Sequence, residues 1–204
     1  MKKILLSIVF VLPIFSAADN AVAQQRFKAG LILGLNASQI MGDDIAGYNK
    51  LGVHGGLRAT AVLKDKQDLS IELLYSQKGS YSKNSISGDF IKIKLDYVEV
   101  PVLFSYKDWY KEEAGYYKVQ VIGGLSYGRL IRSSAEGSKY DDLVDDFNSS
   151  DIGLTIGLEY FTSKHFGFGF RWSRSLNLLY NNKNTPGRNS LYSYFLSFRG
   201  MYIF

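Results

Sequence analysis

Six charged residues interrupt stretches that are otherwise small and polar. They carry both signs, and each lies near the middle of a segment in which apolar and polar residues alternate. An unpaired charge enclosed by protein is costly, so enclosed charges are normally paired. We therefore expect a salt-bridge network in an enclosed space, in which Glu72 and Glu99 neutralise the three arginines. The six residues are Arg58, Glu72, Glu99, Glu159, Arg171 and Arg199.

The two histidines, His54 and His165, are the remaining candidates for catalysis. A histidine beside a serine and an acidic residue forms a hydrolase site, as in lipid-modifying outer-membrane enzymes. No compact Ser/His/Asp spacing accompanies His54. The chain has no cysteine, which excludes a thiol nucleophile and a Cys-ligated zinc site, and no phosphate loop or dinucleotide fingerprint is present. We expect no enzymatic activity, no cofactor and no metal site among these residues.

An acidic stretch, residues 136–146, contains four aspartates, Asp141, Asp142, Asp145 and Asp146. Carboxylates bind divalent cations, but the glycine and terminal glutamate of an EF-hand loop are missing. The stretch is typical of a solvated loop, and cation binding stays open. The net charge of +5 comes from dispersed Lys and Arg, so we expect contact with lipopolysaccharide phosphates and no nucleic-acid partner.

Residues 1–23 read as a secretory signal peptide. Lys2 and Lys3 precede an apolar run over 4–15, and Ala21 and Ala23 form an A-x-A cleavage site. An uncleaved anchor and cleavage after Ala18 are the alternatives. The apolar run is too short to cross a bilayer as a helix. The expected organisation is a signal peptide, residues 1–23, followed by one domain, residues 24–204.

From Phe27 onward, alternation of apolar and polar residues dominates the chain, which is the pattern of half-buried strands. In 166–173, for example, aromatic residues occupy every second position, and Gly, Arg or Ser the others. The alternation predicts eight strands, at 27–38, 52–63, 69–78, 90–106, 116–130, 151–161, 166–176 and 191–204.

The fourth segment changes the phase of its alternation. Ile93 and Leu95 share one parity with Tyr97, whereas the apolar residues from Val98 onward have the other. One extra residue near Tyr97 or Val98 keeps all of these side chains on one face, so the pattern predicts a β-bulge there. It also predicts that Lys92, Lys94 and Asp96 share a face with Glu99.

The connections between the segments alternate in length. The long, polar ones are 39–51, 79–89, 131–150 and 177–190, and the short ones are 64–68, 107–115 and 162–165. This asymmetry is typical of an eight-stranded antiparallel up-and-down transmembrane β-barrel with periplasmic termini. A soluble barrel or sandwich is the alternative. The polar face, rich in Gly and Ser with balanced charges, fits a narrow lumen better than a solvated surface. Eight strands leave a lumen that side chains fill, so we expect a plugged barrel.

Three stretches carry a resemblance to a known family: residues 74–79 (LYSQKG), 95–101 (LDYVEVP) and 171–176 (RWSRSL). The chain resembles the PorT-like outer-membrane β-barrel domain family of eight-stranded proteins, although Ser175 stands where a glycine often follows. Phe204, with Tyr202 and Phe198 before it, resembles the signal read by the barrel assembly machinery. The resemblance implies fold and outer-membrane location, but no single activity.

These observations favour an integral outer-membrane protein that presents extracellular loops for envelope integrity, adhesion or contact with an envelope protein. An accessory subunit of a secretion or assembly machine is the second reading, because the family's name-giving member suggests it. A lipid-modifying enzyme is the third. The expected partners are outer-membrane lipid and lipopolysaccharide, the assembly machinery and an envelope protein.

Overall fold

The computed structural model describes residues 26–41, 48–83, 90–136, 147–179 and 192–204. The expected signal peptide, residues 1–23, and the four aspartates at 141, 142, 145 and 146 lie outside these ranges. None of the described residues belongs to a helix that is long and apolar enough to cross a membrane.

Eight strands form a closed barrel in which each strand pairs antiparallel with the next and the last pairs with the first. This confirms the predicted eight-stranded up-and-down architecture. A 3-10 turn, Glu112–Ala114, links the fourth and fifth strands and ends at Gly115, whose φ of 64° suits glycine. The strands are β1 Phe27–Met41, β2 Lys50–Lys64, β3 Gln67–Lys83, β4 Phe90–Lys111, β5 Tyr116–Glu136, β6 Ser150–Phe161, β7 Phe166–Ser175 and β8 Tyr192–Ile203.

The barrel has two different ends. One carries the tight connections 65–66, 112–115 and 162–165 together with the start of β1 and the end of β8; we call it the short-turn end. The other carries the longer connections, and we call it the loop end. The wall rises highest at β4 and β5, whose pairing runs from Lys111 and Tyr116 up to Lys92 and Glu136. The strands therefore continue further into the long connections than the alternation predicted.

The two faces of the wall are inverted relative to a water-soluble protein. Large apolar side chains point outward, and Leu33, Phe168 and Phe198 are 75%, 61% and 60% exposed. Charged side chains point inward, and Glu72 and Arg171 are each 1% exposed. Soluble proteins rarely expose so large a continuous apolar surface. This arrangement suits a barrel surrounded by lipid, and closure leaves no unpaired strand edge in it.

The pairing of β4 with β5 is irregular at the predicted place, between Asp96 and Tyr97, but the prediction that an extra residue in β4 keeps all its apolar side chains on one face is wrong. The odd-numbered residues of β4 point inward from Ile93 to Lys107, so Ile93, Leu95 and Tyr97 are fully buried, while Lys94 points outward. β4 keeps one register against β3. The irregularity lies on β5 instead, where Asp96 faces Arg132 and Tyr97 faces Leu130, so that one β5 residue is left over.

The change of phase in β4 arises from an apolar cluster inside the loop end of the barrel. There the strands have passed the apolar outer belt, so the outer face turns polar and the inner face packs like an ordinary protein core. The alternation changes phase because the surroundings change, and no extra residue in β4 is needed. We call this group the apolar plug; it consists of Ile40, Ile93, Leu95, Tyr97, Phe147 and Leu179.

Candidate functional site in the barrel lumen

Five of the six charged residues singled out from the sequence meet in the middle of the lumen; we call them the central cluster. Glu72 accepts hydrogen bonds from all three arginines: from Nε of Arg58 at 2.8 Å, from Nη1 and Nη2 of Arg171 at 2.8 Å each, and from Nη1 of Arg199 at 3.1 Å. Glu159 accepts from Nη1 of Arg58 at 2.9 Å and from Nη2 of Arg171 at 2.8 Å. Charge-assisted bonds of this kind are the strong ones.

The strand register and the glycines of the inner face assemble this cluster. Arg58 lies directly across from Glu72 on the neighbouring strand. Gly169 lies between Glu159 and Arg199 on their two neighbouring strands. A Cβ atom on Gly169 would lie 2.9 Å from Cγ of Arg199, closer than such atoms normally approach. The glycines on the inner face, which the alternation pattern alone does not explain, therefore make room for the arginine side chains.

The central cluster spans the lumen and has an excess of positive charge. Its arginines come from β2, β7 and β8, and its glutamates from β3 and β6. Three guanidinium groups face two carboxylates, which leaves a net charge of +1. Nε of Arg171 and Nε of Arg199 have no hydrogen-bond partner among the described residues. Of the three arginines, Arg199 is held least firmly, because only its Nη1 contacts a carboxylate.

Glu99 does not join the central cluster, contrary to the expectation that it neutralises the arginines; Glu159 takes that position. Glu99 contacts Nζ of Lys78 at 2.5 Å, and Asp151 lies 3.1 Å from the same Nζ. The Lys78 ammonium also lies 4.3 Å from the ring centre of Phe195, a cation–π distance. We call Lys78, Glu99 and Asp151 the upper cluster. Its net charge is −1.

The parity of residues along the strands also indicates that the residues of the upper cluster lie on the polar face. Lys78 has the same parity on β3 as Glu72, so both belong to the polar face. Asp151 has the same parity on β6 as Glu159. Parity alone assigns these residues to the lumen. It does not say which residue pairs with which, because pairing depends on the register and tilt of strands that are far apart in the chain.

The two histidines lie in different places. His54 is 2% exposed inside the lumen, opposite Gly34 and Ser76, and its Nε2 has no partner among the described residues. Nδ1 of His165, at the short-turn end, lies 2.8 Å from the carbonyl oxygen of Ile203. Within the described ranges, no group of three or more His, Asp or Glu residues is arranged to hold a metal ion.

The C-terminal residues singled out from the sequence share the outer face. Phe198 and Phe204 are 60% and 59% exposed, and Tyr202 is 37% exposed. The Tyr202 ring packs edge-on between Phe166, at 4.9 Å between ring centres, and Phe204, at 5.4 Å. Such a row of aromatic residues at one end of the apolar surface is typical of a membrane interface.

Comparison with known families agrees with this inverted barrel. Residues 20–181 match the family described as outer membrane protein beta-barrel domain. The chain belongs to this family. It is an outer-membrane β-barrel protein, and its apolar outer surface is the lipid-facing one. No curated protein sequence matches the chain.

Solved structures share the barrel fold at low sequence identity. Ail, the attachment invasion locus protein of Yersinia pestis, is 13% identical with a TM-score of 0.50; the match covers 87% of this chain and 98% of Ail. Neisserial surface protein A is 14% identical with a TM-score of 0.49; the match covers 86% of this chain and 96% of that one. At such identities the likeness shows the fold alone.

Proposed function

We propose that this protein is a closed outer-membrane barrel whose function lies in its extracellular loops. The observation that carries the proposal is the filled lumen: the central cluster crosses it, and the apolar plug lies above on the loop-end side. A lumen filled in this way offers no wide path to solutes. The exposed loop end is then the part available for envelope integrity, adhesion or contact with an envelope protein.

Conductance in planar lipid bilayers tests the closed lumen. The refolded protein should give no large, stable channels, because the paired arginines and glutamates fill the cross-section. A Glu72→Ala/Arg171→Ala double variant removes two of the crossing side chains and should show more current. The control variant Lys66→Gln changes an exposed side chain on the rim and should behave like the unaltered protein. Large, stable channels from the unaltered protein would refute the proposal.

The proposal includes the orientation of the barrel in the outer membrane. Residues 1–23 are removed on export, residues 24–204 form the barrel domain, and the termini and tight turns face the periplasm, as is usual for such barrels. The chain has no cysteine, so single cysteines report accessibility cleanly. Asn148→Cys at the loop end should react with an impermeant maleimide in intact cells. Asp65→Cys, in a tight turn, should react only after the outer membrane is opened. The reverse pattern would contradict this orientation.

The two functions considered for the loops, adhesion or envelope contact and an accessory role in a secretion or assembly machine, require different partners. The fold is shared with a protein whose name refers to attachment and invasion, which favours adhesion or envelope contact. The PorT-like stretches favour an accessory subunit of a secretion or assembly machine instead. Crosslinking in intact cells distinguishes them, because a stable complex with envelope proteins supports the accessory role. Loss of cell attachment in a deletion strain that has no such complex supports adhesion.

We further propose that the protein is not an enzyme. The candidate base of a lipid-modifying site, His54, is enclosed in the lumen, away from the lipid that such an enzyme modifies. A His54→Ala strain should therefore keep an unchanged lipid A profile. The remaining partners in the proposal are lipopolysaccharide and the barrel assembly machinery. Deletion of Phe204 should lower the yield of assembled barrel without changing synthesis.

A further inference from the structure

A cavity of about 350 Å³ opens at the short-turn end of the lumen, below the central cluster. Its volume lies in the range of small-molecule sites. Arg58 and Thr60 lie at its inner end, and the inward-pointing side chains of Lys28, Asp68 and Lys107 line its sides. The side chains of the central cluster and the apolar plug fill the lumen towards the loop end, so this cavity is reached from the short-turn end.

The cavity has more positive than negative charge. Asp68 is the only acidic side chain among its described lining residues, and its carboxylate accepts a hydrogen bond from Nζ of Lys107 at 2.8 Å. The side chain of Lys28 makes no hydrogen bond or close ion pair with any other residue that the structure describes, although the Asp68 carboxylate is near enough to interact with it electrostatically. The central cluster above contributes a further net charge of +1. Two ammonium groups, those of Lys28 and Lys107, thus share the single Asp68 carboxylate, and a bound anion would supply the missing counter-charge.

Aromatic residues also line the cavity. The rings of Tyr110, Tyr116, Tyr117 and Phe161 line it, and the hydroxyl of Tyr116 is fixed by donating to the carbonyl oxygen of Thr162 at 2.7 Å. Cationic groups and aromatic rings in one cavity, with Nζ of Lys107 5.5 Å from the ring centre of Tyr117, suit an organic anion with a small carbon skeleton. Two uncompensated positive charges, one shared by Lys28 and Lys107 and one in the central cluster, match a doubly charged anion better than a single carboxylate.

We propose that this cavity binds a phosphate group carried by a small organic molecule, with Lys28 and Lys107 as its ammonium donors. Lysine binds phosphate as a compact point charge. The phosphate could belong to a soluble monoester or to a phospholipid headgroup at the membrane surface. The proposal goes beyond the loop function above, and it depends neither on the closed lumen nor on the orientation, since binding is measured on the purified protein.

The test is ³¹P NMR of glycerol 3-phosphate with the barrel in a phosphate-free detergent. The unaltered protein should broaden the signal saturably. Lys28→Gln should weaken binding about tenfold, and Lys28→Arg, which keeps the charge, should restore most of it. Lys66→Gln is the matched control: it makes the same charge change on the same rim, beside Asp108 and outside the cavity, and should leave binding unchanged.

A second arm separates the two sources of phosphate. Native mass spectrometry with phosphatidylglycerol should show a retained lipid, displaced by Lys28→Gln and not by Lys66→Gln, if the ligand is a headgroup. Saturable binding of glycerol 3-phosphate supports the soluble source. The proposal is overturned if neither probe binds, or if Lys66→Gln weakens binding as much as Lys28→Gln does, since general rim charge would then explain the effect.

Discussion

Glu72 is the residue on which the central cluster depends most. It is 1% exposed and accepts hydrogen bonds from all three arginines, whereas Glu159 accepts from two. Glu72→Gln keeps the size of the side chain but removes its charge. The net charge of the cluster then rises from +1 to +2, and Arg199 loses its only carboxylate partner among the described residues.

The expected loss follows from the cost of leaving a buried charge unpaired. Breaking a buried ion pair by neutralising one partner costs about 3–5 kcal/mol, and we expect Glu72→Gln to lower the free energy of unfolding by that amount. Glu99→Gln is the matched control, because Glu99 is also buried, at 5% exposure. There Lys78 keeps Asp151 at 3.1 Å and the upper cluster becomes neutral, so the loss should stay below about 1.5 kcal/mol.

Urea unfolding of the barrel refolded into lipid vesicles measures both losses, with tryptophan emission as the signal. The two curves should differ in midpoint and keep a similar slope, because the surface exposed on unfolding is unchanged. The reasoning is refuted if Glu72→Gln unfolds within about 1 kcal/mol of the unaltered protein, or if Glu99→Gln is the more damaging change. Either result would mean that water inside the lumen screens the central cluster.

Three further substitutions give distinct outcomes in the same assay. Arg199→Met makes the central cluster neutral and removes its most weakly held guanidinium, so stability should change by less than about 1 kcal/mol. Gly34→Ala should destabilise the barrel, because its Cβ would lie 2.6 Å from a neighbouring histidine nitrogen, whereas Gly123→Ala, with 3.9 Å of clearance, should not. Leu95→Asp should lower the free energy of unfolding by about 3 kcal/mol, because it buries a charge in the apolar plug. Lys94→Asp, on the outer face, should have little effect. Equal losses would show that Leu95 does not point inward and Lys94 outward.

The alternation of residue types was enough to predict the architecture. Period-two segments separated by connections of alternating length predict strand number, antiparallel order and closure without any knowledge of contacts. The same parity assigned Arg58, Glu72 and Glu159 to the polar face. Pairing could not be obtained in this way: whether Arg171 meets Glu72 or Glu99 depends on the stagger between strands far apart in the sequence, and that stagger is set by the whole barrel.

The phase change in β4 shows where the same pattern acquires the opposite meaning. Inside the lipid layer, apolar residues belong on the outer face; beyond it, they belong inside. Val98 pairs with Tyr75 on one neighbouring strand and with Arg129 on the other, and outward side chains of β4 above this line include the exposed Lys94. On β4, the outer face therefore changes from apolar to polar just beyond this row of paired residues. A change of parity within one long strand is therefore a boundary marker in a barrel whose wall extends past the membrane, and it needs no bulge to explain it.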